Sequence, residues 1–161
     1  MARSDMFLKL EGIEGESNDD VKKKHIEISS FVVSGANTGS FSSATGGGTS
    51  KVNLQDVHFT KLIDKSSPNL FGYLTTGKHI DKATITVRKA GGDPKDFFTI
   101  TLSPCLVSSY NISGQDGGGS PQESFSLNFD KIEYEYKTQD DKGALGPSIK
   151  KTYEVSKNKA S

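Results

Sequence analysis

The chain has 161 residues, room for one domain with a real core, and its 20 Lys+Arg against 20 Asp+Glu leave no net charge. That balance removes the electrostatic case for a nucleic-acid partner or an anionic membrane surface. The single cysteine excludes an internal disulfide, and no apolar run approaches the length that spans a bilayer.

At the start of the chain, Met6, Leu8 and Leu10 alternate with Phe7 and Lys9, predicting a first strand over residues 5–10. Asp5 and Lys9 fall where a secretory leader needs unbroken apolar sequence. The protein is therefore expected to be made in the cytoplasm without a cleaved signal peptide and, if exported, to leave by a route that accepts folded proteins. Residues 11–24, with Gly12, Gly15, Asn18, Asp19 and Asp20, carry turn chemistry. Ile26 and Ile28 then alternate with His25 and Glu27 in a second strand that runs on into Phe31-Val32-Val33.

From residue 34 to residue 50 the composition shifts to Gly, Ser, Thr, Asn and Ala around one aromatic, Phe41. The stretch reads either as a disordered loop or as a functional one, since loops beyond about 12–15 residues are uncommon without a function; a lone phenylalanine in it is better explained by a partner surface that buries it. Residues 51–63 read as a long strand whose phase slips at Gln55-Asp56, as at a β-bulge. The next stretch holds the one convincing helix. Ser67 is expected at its N-cap, Pro68 at its first position and Gly77 at its end. Leu70, Tyr73 and Leu74 share a face, while Phe71 points aside toward a neighbouring chain.

Beyond the helix, Ala83, Ile85 and Val87 pair through a turn at residues 89–94 with Phe98, Ile100 and Leu102, a hairpin. Another strand covers residues 106–112, and a glycine-rich loop follows over residues 113–120. Phe125, Leu127 and Phe129 alternate, then Ile132, Tyr134 and Tyr136. A turn-rich segment covers residues 140–147, and Tyr153 and Val155 mark a last short strand before a tail, 156–161, expected to fray. The whole reads as a single domain over residues 1–161, mainly β: an antiparallel β-barrel, or two packed sheets, with one short flanking α-helix.

Chemistry is hinted at and then fails. Gly72-Tyr73-Leu74-Thr75-Thr76-Gly77-Lys78 has the spacing of a phosphate loop, but Gly77 ends a helix, where carbonyls are exposed, and His79 stands where a metal-binding hydroxyl is required. His25, His58 and His79 lack metal-ligand spacing. Glu133 and Glu135 read as neighbouring acids on a solvated strand face, no Gly-x-Ser-x-Gly pattern occurs, and Cys105 sits in apolar company as a buried, inert thiol. No catalytic, cofactor-binding or metal site is assigned, and an enzyme is not expected.

Gly15-Glu16-Ser17, Asn53-Leu54-Gln55-Asp56-Val57-His58-Phe59-Thr60-Lys61, Asp64-Lys65-Ser66-Ser67-Pro68-Asn69-Leu70, Gly77-Lys78-His79, Arg88-Lys89-Ala90-Gly91-Gly92, Leu106-Val107-Ser108-Ser109-Tyr110 and Leu127-Asn128-Phe129 occur in order along nearly the whole chain. Together they closely resemble the Hcp family, the haemolysin-coregulated proteins that form the inner tube of bacterial type VI secretion systems. The resemblance implies a β-barrel assembled as a hexameric ring. It also implies rings stacked into a secreted tube inside a contractile sheath, a VgrG-type spike at the tip, and small secreted effectors held in the lumen. It places the loop 34–50 toward the adjacent ring, with Gly39, Ser40, Phe41, Ser42 and Ser43 as its stacking segment. Many relatives carry tryptophan near the second strand, where this chain has Phe31-Val32-Val33 and no tryptophan anywhere.

On this reading Phe71 is a subunit-interface residue, and Gln115 and Asp116 touch cargo. The rival reading is a secreted ligand-binding β-barrel module with residues 113–120 as its rim.

Overall fold

A computed structural model of the chain describes residues 5–39, 51–89 and 94–161. Strand β1 (Met6–Leu10) lies between β2 (Ile26–Glu27) and β8 (Ala83–Arg88). The order continues through β9 (Asp96–Ser113) and β10 (Gln122–Gln139) to β6 (Val57–Leu62) and β3 (Ser30–Val32), every pairing antiparallel. Thus β2 and β3, separated by only two residues, stand at opposite ends of the sheet. The Ile28 amide donates to the Met6 carbonyl and the Ser29 amide to the Thr60 carbonyl, so one bend in the chain brings the two sheet edges together. The second strand read in the sequence is therefore two strands with different partners.

Alternation fills the space this sheet encloses. Leu8, Ile26, Val57, Phe59, Ile85, Ile100, Leu102, Phe125 and Leu127 are all essentially inaccessible to solvent, each contributing about 1.5–3 kcal/mol by leaving water. Phe59 and Phe125, opposite one another across β6 and β10, stack with ring centroids 4.9 Å apart. Cys105 belongs to the same core, and burial pushes its thiol pKa up to about 12, so it is inert as expected.

Helix α1 (Ser67–Thr76) packs on β9 and drives Leu70 into the core, with Tyr73 and Leu74 half-buried beside it. Gly77 ends it in the left-handed conformation at φ 66°, its amide donating to the Tyr73 carbonyl at 3.0 Å. The start differs from the expectation. Ser66, not Ser67, stands at the N-cap, and its hydroxyl donates to Asp64 Oδ1 rather than accepting from the helix amides. Asp64 Oδ1 also accepts from the Ser66 amide at 2.8 Å, an Asx-type turn leading into the helix, while the Ser67 hydroxyl is drawn inward.

Three further expectations are corrected. Residues 51–63 form two strands, because β5 (Val52–Leu54) pairs only with β4 (Gly35–Asn37) as a separate ribbon, and the phase slip marks the passage from ribbon to barrel. Residues 96–113 form one strand, not two. Pro104, which has no amide proton to give, sits where the edge of β9 changes partner from β8 to β7 (His79–Ile80). Similarly, β10 runs unbroken through the two segments read from its alternation. Toward the end of the chain, β12 (Lys159–Ala160) pairs with the end of β11 (Leu145–Glu154), and Asp130 accepts from both the amide and the hydroxyl of Ser156 at 2.9 Å.

Candidate assembly surfaces

The inward positions of β6 are Val57, Phe59 and Lys61, so strict alternation carries a lysine into the barrel beneath α1, where it is 1% exposed. Opposite it in register on β10 is Glu123, 2% exposed, and the two form an ion pair. Lys61 Nζ also donates to Asp64 Oδ1 at 2.9 Å and to the Leu62 carbonyl at 3.0 Å. Glu123 accepts from the Ser67 hydroxyl at 2.9 Å and the Tyr110 hydroxyl at 2.5 Å. Burial, reinforced by Glu123, pushes the Tyr110 phenol up to about 12. One cation thus ties β6, β10 and the start of α1 together, with β9 joined through Tyr110. Sequence reasoning missed this cluster. Its one visible signal was a lysine in the inward slot of an apolar alternation.

Above the cluster, α1 presents Phe71, 54% exposed, with its ring edge-on to Tyr110 at 6.0 Å between centroids. Ile112, two residues beyond Tyr110 on the same face of β9, is also largely exposed. An aromatic side chain raised on a helix whose base is pinned by buried ionic contacts is a rigid apolar projection. Gln115 and Asp116 follow in the loop from β9 to β10. Both are exposed, and the Gln115 carbonyl accepts from the Gly118 amide at 3.4 Å, which turns the loop back toward β10. Gly39 is exposed at the open end of the β4–β5 ribbon; Ser40, Phe41, Ser42 and Ser43 lie outside the described residues.

A second apolar surface lies farther along β10. Val52 and Leu54 from the ribbon, Val33, Ile132 and Tyr134, and Tyr153 from β11 line a groove of about 380 Å³. Lys151 stands at its side, in no ion pair among the described residues. Tyr136 and Ile149, partners across β10 and β11, extend the apolar strip into solvent. The other face of this extension is ionic, as read from the sequence. Glu135 and Glu133 each lie 3.4 Å from Lys150 and hold its ammonium above the ordinary lysine value, Glu135 by hydrogen bonding first.

His25, His58 and His79 lie on separate elements, and no group of His, Cys, Asp and Glu among the described residues could hold a metal ion. No described helix is long and apolar enough to cross a membrane.

A third polar cluster locks the turn after β1. The Arg88 guanidinium, stacked 4.6 Å over Phe7, grips Asp19 with two hydrogen bonds of 2.7 and 3.0 Å. Those bonds, aided by the Lys22 and Val21 amides, hold the Asp19 carboxyl far below the usual range against the opposing effect of burial. A depressed folded-state pKa stabilises above the unfolded value of about 3.9 and loses that contribution as pH falls toward the folded one. Asp19→Asn is expected to cost about 1.5–3 kcal/mol at neutral pH. The gap between wild type and variant in urea melts should hold above about pH 5 and shrink below about pH 4; a gap unchanged at pH 2 would refute the assignment.

A family model described as "Type VI secretion system effector, Hcp" matches residues 7–136. The chain is 38% identical to Protein hcp1 of Pseudomonas aeruginosa over 156 residues, which are 96% of each chain. Among solved structures it superposes on a type six secretion system protein with a TM-score of 0.91 and 29% identity, covering 99% of this chain and 100% of that one. It matches Hcp1 from Salmonella typhimurium with a TM-score of 0.79 and 32% identity, covering 98% of each.

Proposed function

Because the chain belongs to the Hcp family of type VI secretion system proteins, we propose that it is the tube subunit of such a system: six copies close into a ring, and the rings stack into a conduit. The observation that carries this reading is a pair of unfinished apolar surfaces on a neutral chain, the Phe71 projection and the groove beside Tyr134. Among the described residues, the edge of β11 beyond its short pairing with β12 and the edges of the β4–β5 ribbon are open, which adds to it, since exposed edges are normally covered by a partner. The tube passes from the cytoplasm to the outside within a contractile sheath, behind a VgrG-type spike. Small effectors ride in the lumen, where Gln115 and Asp116 contact them. The protein acts by assembly, with no catalytic step.

Stacking is assigned to Gly39, Ser40, Phe41, Ser42 and Ser43. A lone aromatic among small residues gains about 1.5–3 kcal/mol only where another surface buries it. Phe41→Asp should leave single rings intact while removing tubes of stacked rings, both counted by electron microscopy of the purified protein. Tubes of wild-type length in the variant would show that this segment does not stack rings.

A further inference from the structure

Phe7 is buried, yet it is no part of the barrel core: it faces outward from β1, beside Thr86 on β8, with the Arg88 guanidinium over its ring. The loop of residues 16–24, which contains no helix or strand, lies across this patch. Asp19 grips Arg88 there, and Lys22 Nζ donates to Asp96 Oδ2 at 2.5 Å. The ends of the loop meet at a neck. The Gly15 amide donates to the Lys24 carbonyl at 2.8 Å and the Ser17 amide to the His25 carbonyl at 3.1 Å, the form of an Ω-loop. A side chain at residue 15 would strike the His25 carbonyl, so the neck requires glycine.

Three buried side-chain atoms among the described residues have no hydrogen-bond partner, Thr86 Oγ1, Arg88 Nε and Asp96 Oδ1, and all three belong to this patch. Thr86 and Arg88 share a face of β8, and Asp96 is the register partner of Arg88 on β9. Buried polar groups are satisfied in nearly every native protein, so a spare donor opposite a spare acceptor of the other charge calls for a reason. The signs supply one. The loop offers the barrel one carboxylate and one ammonium, and the barrel offers one guanidinium and one carboxylate in return. If the loop lifted with nothing else moving, Arg88 would lose both of its hydrogen bonds while still lying on the sheet over Phe7. Removing one partner of an enclosed ion pair is the costly outcome. Turned toward Asp96, Arg88 stays paired, and Asp19 and Lys22 pass into water.

We infer that residues 16–24 form a strap that opens by partner exchange: as it lifts at its neck, Arg88 passes from Asp19 to Asp96, and Phe7 and the Thr86 hydroxyl are uncovered while the barrel stays folded. Such an opening is a local equilibrium, distinct from global unfolding, and it does not depend on how copies of the chain assemble.

A double-mutant cycle reads the exchange. Asp19→Asn alone leaves Asp96 to receive Arg88, and Asp96→Asn alone leaves Asp19 holding it; only the two together strand the guanidinium. In urea melts the double variant should lose at least tenfold more in its folding equilibrium constant than the two single losses multiplied together. A loss equal to that product, or smaller, would overturn the exchange. Opening is read separately on Thr86→Cys, whose thiol the closed strap covers. A small thiol reagent in excess should label it without denaturant, at a rate flat across low urea. Wild type should stay unlabelled on that timescale, because Cys105 is buried and inert. Lys22→Met in the same background removes one tie and leaves every barrel residue in place, so labelling should quicken at least tenfold. Labelling that climbs with urea from the outset, in step with global unfolding, or a rate indifferent to Lys22→Met, would overturn the strap. The cycle uses no added cysteine, so it stays readable if Thr86→Cys does not fold.

Discussion

Lys61→Ala is expected to remove about 3–5 kcal/mol of stability, because it strands Glu123 as an unpaired carboxylate at 2% exposure. Few single changes in this chain should cost more, since native domains have only about 5–15 kcal/mol in total. The Ser67 and Tyr110 hydroxyls would still donate to Glu123, which is why the loss is not larger. Lys61→Met combined with Glu123→Gln should recover more than half of it. The amide keeps an acceptor for both hydroxyls, and neither side chain then carries a buried charge. Urea melts of the two variants beside wild type decide the matter. A Lys61→Ala protein within about 1 kcal/mol of wild type would mean that solvent reaches the pair and that the helix is held by Leu70 alone.

The second large effect concerns assembly rather than folding. Phe71→Glu places a charge where the exposed apolar projection is proposed to meet a neighbouring copy. Contacts of this kind at an interface centre are worth about 2–4 kcal/mol, so association should weaken roughly 30- to 700-fold. The folded monomer should barely change, because a residue 54% exposed has little native burial to lose. A variant that dissociates while its melting temperature holds separates the two roles of α1: Leu70 secures the helix to the barrel, and Phe71 secures the barrel to its neighbour.

Much of this architecture is legible in the chain. Helix α1 shows itself through Pro68, Gly77 and the spacing of Leu70, Tyr73 and Leu74, and the β8–β9 hairpin through clean alternation on both sides of a turn. Periodicity reports which side of a strand faces inward, and it does so correctly for Val57, Phe59, Phe125 and Leu127. It does not report partners. Lys61 and Glu123 are 62 positions apart, and only the register of β6 on β10 joins them. The groove draws Val33, Leu54, Ile132 and Tyr153 from four distant segments, so no local window contains it.

The misread boundaries share that cause. Pro104 looks like the end of a strand, yet the sheet tolerates it because its neighbour on that edge changes there. Val52 and Leu54 look continuous with Val57 and Phe59, yet they belong to a different sheet. The Ser67 hydroxyl could have capped the helix, but the buried carboxylate of Glu123 is the stronger claim on it.

Sedimentation velocity of the purified wild-type protein at micromolar concentration bears most directly on whether this barrel is one segment of a conduit. The tube reading predicts a discrete species of about six times the 17.3 kDa chain mass, lost in Phe71→Glu. A single species at the mass of one chain, unchanged when the protein is concentrated, would contradict it.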